Sequence, residues 1–186
     1  MQYKFIIAAA SCVTLVAAHG KISVVQGDAG GNGTALAIKG AVVPGTGKNK
    51  VTEVDTTVFR STKIATNGLG KTTGTGKNKV DMVAQSMALS GDTLPQVSAN
   101  GGSITGVVHI VTTDGAGPFK AMIDPSATGK FSQGIKAQVT TQVPGNKGNI
   151  HPDGSVKARS LTGRALEKRA ANVDRDFVSQ YLCAIL

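Results

Sequence analysis

β-Branched residues recur in short runs, over residues 22–25, 35–43, 52–59, 103–113, 120–123 and 134–143, and each run is cut off by turn-forming residues. Asn32-Gly33, Pro44-Gly45, Asn67-Gly68, Asn100-Gly101-Gly102, Asp114-Gly115, Asp124-Pro125 and Pro144-Gly145-Asn146 supply the punctuation. Glycine and asparagine tolerate positive φ and proline presets φ, so such groups reverse the chain soon after a strand begins. Short strands with frequent turns predict a mainly β fold, an antiparallel β-sandwich with Gly-rich loops. Composition agrees: 24 glycines and 17% charged residues argue against a coiled coil or helical bundle, and 4% aromatic residues leave an aliphatic core. Two segments break the pattern. Residues 81–89 read as a short helix with apolar Met82, Val83, Met87 and Ala88 and Gly91 as its stop. Over residues 160–177, Leu161, Ala165, Leu166, Ala170, Val173 and Phe177 fall at helical spacing among charges, which predicts a C-terminal amphipathic helix after a β-rich domain at 19–159.

The first residues carry a different signal. Lys4 precedes a nearly continuous apolar run over residues 5–18 that ends in the small residues Val16-Ala17-Ala18. This is the pattern of a secretory leader, residues 1–18, cleaved after Ala18. The run is shorter than the ~20 apolar residues of a membrane span, and no comparable run follows, so no transmembrane segment is expected. Loss of Lys4 with the leader leaves 19 basic against 11 acidic residues, and secretion places this formal charge of +8 outside the cell. The lysines are dispersed, and two Tyr, five Phe and no Trp offer no stacking platform, which removes nucleic acid as a partner. Cell-wall polysaccharide or a host surface component fits the charge better. Cys12 lies in the leader and leaves Cys183 without an internal partner, while Asn32-Gly33-Thr34 is a glycosylation sequon. Lys168-Arg169 reads either as a dibasic processing site or as a solvated helix face.

The segment Gly45-Thr46-Gly47-Lys48-Asn49-Lys50-Val51 recurs as Gly74-Thr75-Gly76-Lys77-Asn78-Lys79-Val80. Two copies do not build a solenoid. They are two similar loops, or a pair of basic loops that touch an anionic polymer. Gly70-Lys71-Thr72 is not a phosphate loop, because Ala65 stands where that motif needs glycine.

The chain has three histidines. Cleavage after Ala18 makes His19 the first residue, where its α-amino group and imidazole can chelate one copper ion and a second imidazole can complete a planar nitrogen set. Ala18-His19-Gly20 resembles the opening of lytic polysaccharide monooxygenases, which use this histidine brace. His109 is the natural second ligand. Strand alternation puts Ile104, Val108 and Ile110 on one face of its run and His109 with Thr105, Val107, Val111 and Thr113 on the other. Phe119, just beyond, takes either an axial position or a place in the core. His151, in Asn149-Ile150-His151-Pro152-Asp153-Gly154, is expected in a turn.

Several longer motifs occur in order: His19-Gly20-Lys21-Ile22-Ser23, Gly27-Asp28-Ala29-Gly30-Gly31-Asn32-Gly33-Thr34-Ala35, Glu53-Val54-Asp55-Thr56-Thr57, His109-Ile110-Val111-Thr112-Thr113-Asp114-Gly115-Ala116-Gly117-Pro118 and Val143-Pro144-Gly145-Asn146-Lys147-Gly148-Asn149. Through them the chain resembles the fungal appressorium-specific secreted proteins of the Egh-type virulence-factor family, over residues 19–177. The resemblance implies a secreted protein made with the infection structure and promoting host penetration, and it brings no established reaction. It also implies a longer chain. The tail at 178–186 departs from the family pattern, and Val178-Ser179 is what a retained intron's splice donor would encode, so the expectation is a truncated gene product. Two functional readings follow: a virulence factor acting at wall or host surface without catalysis, and a copper-dependent oxidase of polysaccharide. A hydrolase is disfavoured, because neither the spacing of Asp55, Asp114 and Asp124 nor any serine motif nominates a catalytic set.

Overall fold

A computed structural model describes residues 6–11, 19–38, 51, 53–59, 63–156 and 170–180. These residues form a mainly antiparallel β fold with little helix. The strands are β1 (Ile6–Ser11), β2 (Gly20–Gly27), β3 (Asn32–Gly33), β4 (Thr57–Val58), β5 (Lys71–Thr72), β6 (Gly76–Lys77), β7 (Ser103–Thr112), β8 (Phe119–Asp124), β9 (Ile135–Thr141) and β10 (Ala170–Gln180). They hydrogen-bond in the order β1-β8-β9-β10-β7-β2-β4-β5-β6, with β3 beside β2. Two helices interrupt them, α1 (Ile64–Asn67) and α2 (Val83–Leu89), the second entered through a 3-10 turn at Val80–Met82. The helix expected at 81–89 is therefore present, and Gly91, at φ +76°, turns the chain away from it.

β7 is the centre of the sheet, and its alternation sets the core. Ile104, Val108 and Ile110 are buried, whereas Thr105 is exposed and Val107 and His109 are half-buried, as the sequence pattern predicts, but Val111 and Thr113, expected beside His109, are buried as well. Val108 and Ile110 pack with Ala116, Phe119, Val143, Ile150 and Phe177. Ile104 packs with Ile123 of β8, although β9 and β10 lie between their strands in the hydrogen-bonded order. The sheet must therefore curl until its two arms meet, with β9 paired to both β8 and β10 as the continuous turn of the wall. Phe119 belongs to this core. At Gly106 a Cβ would stand 2.5 Å from the Val24 carbonyl and 2.8 Å from the Phe177 ring, so the absent side chain is what lets the ring lie against β7.

Three readings need correction or placement. Residues 170–177 are strand and not helix, within β10, which continues to Gln180. Val173 and Phe177, four apart, satisfy both a helical and an alternating pattern. The chain takes the second because half-buried Ala171, Val173 and Arg175 and buried Phe177 then face inward while Asn172, Asp174 and Asp176 face out, and the backbone gains partners along β7. The stretch 160–169, with Lys168 and Arg169, lies outside the described residues, as do Ala18, Cys12, Cys183 and residues 45–50 of the first loop copy. Residues 35–38 form a turn instead of a strand, with Ala37 buried at φ +62°. Residues 6–11, inside the expected leader, pair as β1 with β8, from Ile6 opposite Asp124 to Ser11 opposite Phe119. Among the described residues no helix is long and apolar enough to cross a membrane.

Candidate functional site

The polar face of β7 carries the densest group of ionisable side chains. Lys21 of β2 stands directly opposite His109, and His109 directly opposite Asp174 of β10. Directly paired residues share a face, so the three form one row across three strands. His19 continues the line of β2, its carbonyl accepting hydrogen bonds from Val111 N (3.0 Å) and Thr112 N (3.3 Å). Two residues before Lys21, it lies on the same side as the row and diagonal to His109. Gly115 makes this approach possible, since a Cβ there would sit 2.2 Å from the His19 carbonyl oxygen.

Lys21 is only 3% exposed. A buried ammonium is costly unless it is paired, and here two carboxylates meet it: Glu53 Oε2 at 2.9 Å and Asp55 Oδ1 at 2.7 Å. Both come from the turn before β4, which Thr56 closes by donating from N and Oγ1 to the Glu53 carbonyl. Burial alone would lower the Lys21 pKa, but the hydrogen bonds and charges of Asp55 and Glu53 outweigh it and raise the pKa above the ordinary lysine value.

His109 is held by Asp174, whose Oδ1 is 2.7 Å from Nδ1. A carboxylate accepts and does not donate, so the Nδ1 of a neutral His109 carries the proton and Nε2 is left with its lone pair. Nε2 is buried without a hydrogen-bond partner and lies 3.9 Å from Glu53 Oε1. The Nδ1 of His19 is likewise buried without a hydrogen bond, 3.9 Å from Asp114 Oδ1, while Asp114 accepts a hydrogen bond from Thr112 Oγ1. Four carboxylates, Glu53, Asp55, Asp114 and Asp174, thus surround one ammonium and two imidazoles. Carboxylates therefore outnumber the ammonium on this face, although the chain as a whole is strongly basic. No three described His, Cys, Asp or Glu side chains converge as a metal cage.

The other expected positions lie apart from this face. His151 is exposed in a tight turn, with its N donating to the Ser155 carbonyl. Asn32 is exposed on β3. Asp124 is a loop staple: it accepts from the backbone N–H of Ser126, Thr128 and Gly129, and although burial pushes its pKa up, these bonds and the Ser126 hydroxyl hold it below the usual range. The second loop copy forms the β5–β6 hairpin, closed by buried Asn78, whose Nδ2 donates to the Leu69 carbonyl. Lys71 and Lys77 face each other across it, exposed, with exposed Lys79 next to them.

Sequence reasoning paired His19 with His109 as candidate ligands but missed Lys21 and Asp174. A lysine between Gly20 and Ile22 as the one charged residue of its strand was the available signal for the first, and the acidic alternation in Val173-Asp174-Arg175-Asp176-Phe177 for the second.

Comparison with known proteins decides the affiliation. Residues 17–179 match the Egh16-like virulence factor family. The chain is a member of the Egh16-like family. It is 34% identical over 172 residues to the appressoria-specific virulence factor GAS1 of Pyricularia oryzae, an alignment that covers 91% of this chain and 66% of that protein. No solved structure matches the chain. The matched span of this Egh16-like chain contains the whole row of Lys21, His109 and Asp174 together with Glu53 and Asp55.

Replacing Lys21 by Met will leave Glu53 and Asp55 buried without their cation and will destabilise the protein by about 3–5 kcal/mol at neutral pH. Because the Lys21 pKa is raised on folding, its contribution is intact below the ordinary lysine value of 10.5 and is lost as pH rises through the folded value. Urea unfolding of both proteins from neutral pH upward checks this: the gap in midpoints should hold through neutral pH and narrow only above about pH 10.5. A gap that is constant to the alkaline limit, or absent at neutral pH, would contradict the pairing.

Proposed function

We propose that this Egh16-like protein is a secreted, appressorium-associated virulence factor that promotes host penetration by acting at the cell wall or host surface. Family membership and the name of its Pyricularia oryzae relative support the virulence role. The charge of the outer hairpin supports the place of action. Lys71 and Lys77 stand directly opposite each other on the last two strands of the sheet. Like charges in that position repel, and a polyanion laid along the edge relieves the repulsion while the lysines discourage pairing with another strand. Removal of residues 1–18 on secretion also takes away β1 and opens the outer edge of β8.

Polygalacturonate, an anionic wall polymer, is the direct probe. The chain starting at His19 should co-sediment with it at about 0.05 M salt and release at about 0.5 M, and the double substitution Lys71→Gln with Lys77→Gln should weaken binding several-fold. Binding that ignores salt and both lysines would remove this reading.

A second reading is favoured by one observation, the two buried imidazole nitrogens without hydrogen-bond partners, His19 Nδ1 and His109 Nε2. With the amine freed by cleavage after Ala18 they make up the donor set of a copper brace, and the donor chemistry fits copper(II). Copper held there would supply redox chemistry with oxygen toward polysaccharide. The chain's own contribution is orientation: Asp174 fixes the His109 ring with Nε2 bare, and the Val111 and Thr112 amides anchor the His19 carbonyl. Submicromolar copper binding is expected in protein that begins at His19, with loss in His19→Ala and in a form extended by one N-terminal Gly. Unchanged affinity in the extended form would exclude the brace, because the free amine would then be unnecessary.

A further inference from the structure

A cavity of about 180 Å³ lies on the opposite side of the sheet from Lys21 and His109. Its walls include Ile22, Val25, Ile104 and Phe177 from the sheet and Val83 and Met87 from α2. Ile22 and Val25, an odd number of residues apart, both reach it because the β2–β7 register shifts between Ile22 and Val24. None of its lining residues is ionisable.

The space opens partly to solvent and is similar in volume to the ~150 Å³ apolar cavities that take up benzene. Water would need about 2–4 polar partners per molecule. The lining hydroxyls are already engaged: Ser86 Oγ donates to the Ala35 carbonyl at 3.1 Å, Thr34 Oγ1 contacts the same oxygen at 3.2 Å, and Thr93 Oγ1 contacts the carbonyls of Ser90 at 3.0 Å and Asn32 at 3.2 Å and accepts from Asn32 N at 3.1 Å. A pocket whose lining is mostly apolar and whose hydroxyl donors are already engaged gains most from an apolar guest.

We infer that this cavity is a binding site for a small, uncharged, apolar molecule of the size of one substituted ring. The inference is independent of copper and of the lysine hairpin, since it uses the other face of the sheet.

The probe is p-xylene, with the carboxylate p-toluate as its charged counterpart, titrated into the full chain by calorimetry. Saturable p-xylene binding is expected, with p-toluate at least about tenfold weaker because its charge finds no partner in the lining. Val83→Phe, which fills the cavity from α2, should cut p-xylene affinity by about tenfold or more while the melting temperature is kept, and Leu94→Phe repeats the test from the adjoining loop. Loss of affinity in either folded variant supports the site. Absence of saturable binding up to the solubility of p-xylene, equal affinity for p-toluate, or unchanged affinity in both variants overturns it.

Discussion

The ammonium of Lys21 is buried, and that one fact organises the functional half of the molecule. A charge at 3% exposure is tolerated only because Glu53 and Asp55 reach it from a separate part of the chain. β4 contains two residues and meets β2 at a single pair, Gly20 with Thr57. Among the described residues, the Lys21 clamp thus adds a side-chain tie between the centre and the outer strands where the backbone ladder is a single pair. The same clamp brings Glu53 to within 3.9 Å of His109 Nε2, so the device that secures the edge of the sheet also shapes the ground around the histidines.

β7 separates two chemistries. One face buries Ile104, Val108 and Ile110 and carries the aliphatic core, the Phe177 ring over Gly106 and the apolar cavity. The other presents His109 between Lys21 and Asp174. Strand alternation keeps the two apart, because neighbouring residues of one strand point to opposite faces. An excess of acidic groups on the polar face of a chain with formal charge +9 gives that face a sign opposite to the lysine hairpin at the sheet's edge.

Local chemistry made much of this legible. Turn residues bound β7, β8 and β9, and alternation through His109 separates the polar from the apolar face in the sequence itself. The histidines were nominated by position and by residue type. What failed was long-range. The last strand carries Val173 and Phe177 at a spacing common to helix and strand, and only its pairing with β7 decides between them. Asp174 was hidden by the same ambiguity, because a residue read as part of a helix has no reason to face His109. Lys21 reads as an ordinary exposed lysine until the turn at Glu53 and Asp55, 32 and 34 residues on, is seen to close over it.

The account turns on His109 being held by Asp174 with its Nε2 bare. Two-bond nitrogen–proton NMR correlation on protein with ¹⁵N-labelled histidine reads the tautomer of each ring directly. In its neutral form His109 should carry its proton on Nδ1, and Asp174→Ala should shift it toward the Nε2-protonated form that free imidazole side chains favour. An Nε2-protonated His109 in the unaltered protein, or a tautomer indifferent to Asp174, would contradict the account.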